Sequence, residues 1–252
     1  MSSYKIAFLN SKGGVGKSTL CMLSALCLSQ SKFKGKVRLV DTDSQKSSSS
    51  ILANNKHIEL EYIPFNHSSP GLGASLLDQI LKSYPREKEA LLIDTMAHPP
   101  RQLINCLMQC DAIIIPCNLS EVEILATIEF IKWLDGLKKN QLPSFGPHLV
   151  VIPNRVPPNQ RYIGLLTDYL SEVDVIIGPT ISDLALLRND LSSLQKTKNQ
   201  SSKRFELEYK NLRDFIFKAL VDGGIDRLLK KDEQNKNELN HSGKSNIIHL
   251  TA

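Results

Sequence analysis

The chain has 252 residues, 41% of them apolar and 23% charged, and a formal net charge of +5. This composition excludes a wholly disordered chain, a collagen and a disulfide-stapled miniprotein, and the length suits one large domain. No apolar run approaches the ~20 residues that span a bilayer, and the start of the chain lacks the long apolar stretch of a secretory signal, so the expected location is the cytoplasm.

From the N-terminus, residues 4–10 (YKIAFLN) read as a buried strand. A glycine-rich stretch follows and leads into a helical pattern at 17–31. A second strand at 36–41 (KVRLVD) ends in Asp41-Thr42-Asp43-Ser44-Gln45. The run Ser47 to Ser50 reads as a loop or a helix start. Residues 58–65 alternate more strongly and predict an edge strand. Helix 72–84, strand 89–94, helix 101–109, strand 111–116, helix 121–139, strand 148–153, helix 159–172, strand 173–178 and helix 182–194 continue the alternation. Near-continuous apolar strands separated by helices predict an α/β fold, a mostly parallel sheet covered by helices on both faces. A final helix at 203–221 carries the apolar stripe Leu212, Phe215, Ile216, Ala219 and Leu220, which should dock on the domain. We assign one domain to residues 1–230 and a polar, mobile tail to 231–252.

Cys21, Cys27, Cys106, Cys110 and Cys117 are odd in number and form no C-x-x-C pair, which predicts reduced, buried thiols. From Lys196 onward, 12 Lys and Arg face 8 Asp and Glu, so this segment holds +4 of the net charge. Such a basic end marks either a polyanion partner or a solvated helix face.

The strongest motif is Gly13-Gly14-Val15-Gly16-Lys17-Ser18-Thr19, placed directly after a predicted strand and before a helix. Small residues there let backbone N–H groups wrap phosphate oxygens, and the helix N-terminus adds positive potential. Lys17 can reach the β- and γ-phosphates, Ser18 can ligate Mg²⁺ and Thr19 can support the α-phosphate. Ser11 stands where the strict loop has glycine, so this is a variant of it. Leu91-Leu92-Ile93-Asp94 is a buried strand ending in an acid, the arrangement expected of a residue that holds Mg²⁺ through water. Asp41 and Asp43 alternate along an extended segment, so both carboxylates can face the crevice at the strand ends.

Lys12-Gly13-Gly14-Val15-Gly16-Lys17-Ser18-Thr19 resembles the signature of the ParA/MinD family of deviant Walker ATPases, and the resemblance runs over roughly residues 4–220. It implies a P-loop NTPase fold with ATP and Mg²⁺ as cofactors. Lys12 would then cross the interface of an ATP-sandwiched homodimer to the partner's phosphates. Asp43 would position the attacking water and Asp41 would support the Mg²⁺ shell. Ser44 stands where the family has proline. Pro153-Asn154-Arg155 resembles the segment whose asparagine reads adenine, although Asn and Pro also favour a plain turn there. The absence of an N-K-x-D motif favours ATP over GTP. His98 is either a γ-phosphate neighbour or a loop histidine.

The loop begins so close to Met1 that no helix-turn-helix is expected before it, as in the short plasmid-partition ParA proteins. Arg188, Lys196, Lys198, Lys203 and Arg204, with Lys210 and Lys218, lie in the C-terminal helical region where such proteins bind DNA without sequence preference. The end of the chain is too polar and short for an amphipathic membrane helix. The resemblance thus implies an ATPase that moves a plasmid or chromosome region with a ParB-like or other cargo-bound activator. The same switch could carry a protein complex or relaxosome, or act as a scaffold with negligible hydrolysis.

Overall fold

The computed structural model describes residues 4–31, 33, 35–65, 70–83, 89–141, 146–157, 163–170, 173–182, 200–217 and 248–249. The strands are β1 (Tyr4–Phe8), β2 (Lys36–Asp41), β3 (Ile58–Tyr62), β4 (Glu89–Asp94), β5 (Ala112–Asn118), β6 (His148–Asn154), β7 (Ile176–Ile177) and β8 (Ile248–His249). The helices are α1 (Lys17–Ser29), α2 (Ser47–Leu52), α3 (Pro70–Ser83), α4 (Arg101–Leu107), α5 (Glu121–Gln141), α6 (Ile163–Leu170) and α7 (Gln200–Asp214). None of the described helices is long and apolar enough to cross a membrane.

The strands form one parallel sheet in the order β3-β2-β4-β1-β5-β6-β7-β8. Its central strands are apolar on both faces because both faces are covered. Ala7, Leu9, Leu91, Ile93, Ile113 and Ile115 point into a core shared with α3, α4, α5 and α6. The alternate residues Ile6, Phe8, Ala90, Leu92, Ala112 and Ile114 point into a second core with α1. Helix α1 carries almost no charge after Lys17 and is buried along most of its length. Its outer side is covered by Leu212 of α7 and by Phe215 and Ile216 just beyond it.

The chain leaves β1 toward β2 on one side and leaves β4 toward β5 on the other. Connections that diverge in this way open a crevice at the carboxyl ends of the central strands. The parallel α/β expectation therefore holds, and β3 lies at the sheet edge as its alternation predicts.

The serine run takes the second of its two expected forms and starts a helix, α2. Two local features differ from the reading of the sequence. Strand β7 is two residues long, not six: pairing begins only at Ile176, and past Gly178, whose N–H bonds Val151 O, Pro179 has no N–H to extend it. Ile248–His249 add an eighth strand from within the segment read as a tail, pairing with Ile176 and Ile177. The rest of that tail and the helix expected at 182–194, apart from Ser182 itself, lie outside the described residues. All five cysteines are free and buried, as expected.

Candidate functional site

A cleft of about 600 Å³ opens at the carboxyl end of β1, walled by Gly13, Gly14, Lys17, Asp43, Asn154 and Ser182 among others. The loop after β1 is set by Asn10, which is fully buried. Its Nδ2 donates to Pro116 O at 2.8 Å, and its Oδ1 accepts from Lys12 N at 2.9 Å. The loop then turns through Gly14 and Gly16, with φ of 76° and 98°, a region that favours glycine. At Gly16 an added Cβ would also strike the Asn154 amide, so nothing larger fits.

Gly16 is the N-cap of α1 and offers no side-chain cap, and the first turn holds no acid. The N–H groups at this end, with the positive end of the helix dipole, are therefore left for an anion. Lys17 is 6% exposed, and its Nζ donates to the Lys12 carbonyl at 2.8 Å. It makes no ion pair among the described residues. Burial pulls its pKa down, while Asp94 and Asp43 nearby oppose that shift. Ser18 and Thr19 line the same cleft, whereas the Val15 side chain is buried.

Asp41 and Asp94 end the neighbouring strands β2 and β4 in register, and both are fully buried. Every oxygen of Asp41 is engaged. Oδ1 accepts from Asp43 N at 3.0 Å, while Oδ2 accepts from Ser48 Oγ, Ser49 N and Ser49 Oγ at 2.9, 3.0 and 2.8 Å. Asp41 thus caps α2 from the strand, which explains the serine run. Ser48 Oγ also lies 2.7 Å from Asp94 Oδ2. Asp94 Oδ1 has no hydrogen-bond partner among the described residues. Burial pushes the Asp94 carboxyl up to about 7, restrained by the Ser48 and Ser18 hydroxyls and by Lys17, with Asp41 adding to the rise. An orphaned, buried carboxylate oxygen beside Ser18 fits a hard divalent cation bound through oxygen.

The structure gathers Gly13, Gly14, Gly16, Lys17, Ser18, Thr19, Asp43 and Asn154 around one cleft. Asp43 accepts Gln45 N at 2.9 Å, which holds the start of the α2 loop. Asn154 is 4% exposed and donates its Nδ2 to Val15 O at 2.8 Å. In this arrangement its donor braces the phosphate loop and does not face a base. Lys12 is partly exposed, does not line the cleft and makes no ion pair among the described residues. His98 is exposed, with φ of 51°, and does not line the cleft. Lys203 and Arg204 lie on α7, and Lys210 is exposed there. Arg188, Lys196, Lys198 and Lys218 lie outside the described residues.

The sequence reading missed Asn10, Ser48 and Ser182. Asn10 and Ser48 act across 106 and 46 residues of chain, so no local spacing marks them. The serine run was the one visible trace of Ser48.

Comparison with known proteins agrees with the fold. The family described as the CobQ/CobB/MinD/ParA nucleotide binding domain matches residues 6–230. A search of curated proteins finds no match. Among solved structures, a Cyanothece McdA variant in complex with ATP is 19% identical, with a TM-score of 0.63, covering 84% of this chain and 92% of that one. A plasmid partition protein of Borrelia burgdorferi bound to AMPPNP is 22% identical, with a TM-score of 0.59 and coverage of 87% and 100%. The septum site-determining protein MinD of Pyrococcus horikoshii, complexed with Mg-ADP, is 16% identical, with a TM-score of 0.62 and coverage of 86% and 97%. At these identities the likeness is one of fold.

Proposed function

Because the chain belongs to the CobQ/CobB/MinD/ParA nucleotide binding domain family, we propose that it is a Mg²⁺-dependent, ParA-type ATPase. In this reading it dimerises around ATP, binds DNA without sequence preference and partitions a plasmid or chromosome region. The observation that carries the nucleotide reading is Lys17. Its buried ammonium sits at an uncapped helix N-terminus, satisfied by a backbone carbonyl and by no acid among the described residues. A buried cation so placed is matched to an arriving phosphate.

In this reading the α1 N–H groups and Lys17 bind the β- and γ-phosphates, and Thr19 lies by the α-phosphate. Ser18 and Asp94 would hold Mg²⁺, and Asp41 holds Asp94 in place through Ser48. The metal supplies positive charge to phosphate oxygens. Asp43 orients the water that converts ATP to ADP and phosphate. Lys12, partly exposed and outside the lining of the cleft, reaches the phosphates of a second copy. Asn154 braces Val15, and contact with adenine would require that bond to open. Lys203 and Arg204 of α7, with Arg188, Lys196 and Lys198, supply backbone contacts to DNA. The excess of basic residues from Lys196 onward supports that assignment. A cargo-bound activator of the ParB kind stimulates hydrolysis and ends DNA binding.

The test is binding to a random-sequence duplex with ATP, with ADP and without nucleotide, for wild type and Lys12→Ala. Binding with ATP alone, weakened by salt and lost in Lys12→Ala, is expected. Equal binding in all three states, or none, would show that DNA is not the matrix. Asp43→Ala should retain ATP and lose turnover; cargo movement by that variant would point to a scaffold instead.

A further inference from the structure

Ser182 lies on the wall of the cleft and is 4% exposed. Both of its donors are taken by one carboxylate. Ser182 N donates to Glu208 Oε2 at 2.9 Å and Ser182 Oγ donates to Glu208 Oε1 at 2.6 Å. Two short bonds to one carboxylate fix the position and the orientation of the serine together. Glu208 belongs to α7, so this wall of the cleft is held from the C-terminal helix.

The same wall is stitched to the phosphate loop on its other side. Ile181 N bonds Pro153 O at 2.8 Å and Val156 N bonds Ile181 O at 3.0 Å. Between these residues stands Asn154, whose amide holds Val15 O. Helix α7 meets the site by a second route as well. Tyr209 Oη donates to Gln30 Oε1 at 3.1 Å at the end of α1, the helix that begins at the loop. Helix α7 is therefore tied to the cleft at both ends of a short circuit: wall, β6, loop, α1 and back.

We propose that Glu208 is a positioning residue that sets the cleft wall through Ser182 and transmits nucleotide occupancy to α7. The inference rests on the nucleotide-binding reading above. A nucleotide seated against Ser182 favours the gripped wall, and by linkage anything that orders α7 favours the nucleotide equally. Lys203 and Arg204 precede Glu208 on this helix, so the grip and the residues assigned to the polyanion belong to one element.

The experiment is backbone hydrogen exchange of the full chain with and without Mg-ADP, for wild type, Glu208→Ala and Glu208→Gln. In wild type, ADP should slow exchange at the start of α1 and in α7. In Glu208→Ala it should still slow α1 but no longer α7. ADP affinity should fall roughly tenfold, the size expected for loss of a charge-assisted hydrogen bond. Glu208→Gln, which keeps one acceptor oxygen, should lie between. Adding Ser182→Ala to Glu208→Ala should bring little further loss. Protection of α1 without α7 in wild type overturns the proposal even if no variant folds. So does equal protection of α7 in wild type and Glu208→Ala. If ADP protects neither helix in wild type, the nucleotide reading fails and this inference falls with it.

Discussion

At the scale of single residues, the site is organised by a shortage of hydrogen-bond partners around Asp94. Its Oδ1 is orphaned among the described residues, its Oδ2 shares one serine hydroxyl with Asp41, and burial lifts its carboxyl to about 7. In an unfolded chain an aspartate titrates near ~3.9. Between these values the folded, metal-free protein keeps a proton that the unfolded chain has released. Stability therefore falls as pH rises through this window and levels off above it. Asp94→Asn removes the effect, so the metal-free variant should gain stability over wild type at pH 8 and much less of it near pH 4. Denaturant titrations of both proteins at the two pH values measure it, and an equal gain at both would refute the assignment. The phosphate loop and both acids were legible in the sequence, because each is a short run with its own chemistry. The partners that give them their states were not. Ser48, Asn10 and Glu208 meet their partners only once the strands are in register.

At the scale of elements, the sheet is secure and α7 is the addition that needs explaining. Its sequence is polar over most of its length, yet Leu212 is fully buried against the α1 side of the sheet. Truncating it leaves a cavity that a helix held at one face can only partly close. Leu212→Ala should destabilise the protein by about 2–5 kcal/mol, read from urea unfolding. A loss below ~0.5 kcal/mol, typical of surface sites, would mean that α7 is not docked as described. The elements were readable from apolar periodicity for the same reason. A strand covered on both faces is a continuous apolar run, and each such run here is a strand. What periodicity could not supply was length. Strand β7 begins only at Ile176 although the apolar run starts earlier, and α2 forms because two buried carboxylates need the donors that its first turn presents.

At the scale of the whole molecule, the proposed dimer gives Lys12 its purpose. Within one chain this lysine does not line the cleft and pairs with no acid among the described residues. Sedimentation velocity should show wild type shifting from monomer toward dimer when Mg-ATP is added. Lys12→Ala should bind ATP and sediment as a monomer. A dimer that forms as readily in Lys12→Ala would mean that this lysine does not bridge two copies.

The far margin of the sheet carries a separate consequence. Strand β7 is so short that it could not guard its own outer side, and Ile248–His249 lie along it, paired with Ile176 and Ile177. An uncovered strand is a template for a neighbour's backbone. Trimming Ile248–His249 for convenience of handling would thus bare β7 and make it the margin of the sheet. Solubility, before any catalytic property, is where the cut would be felt.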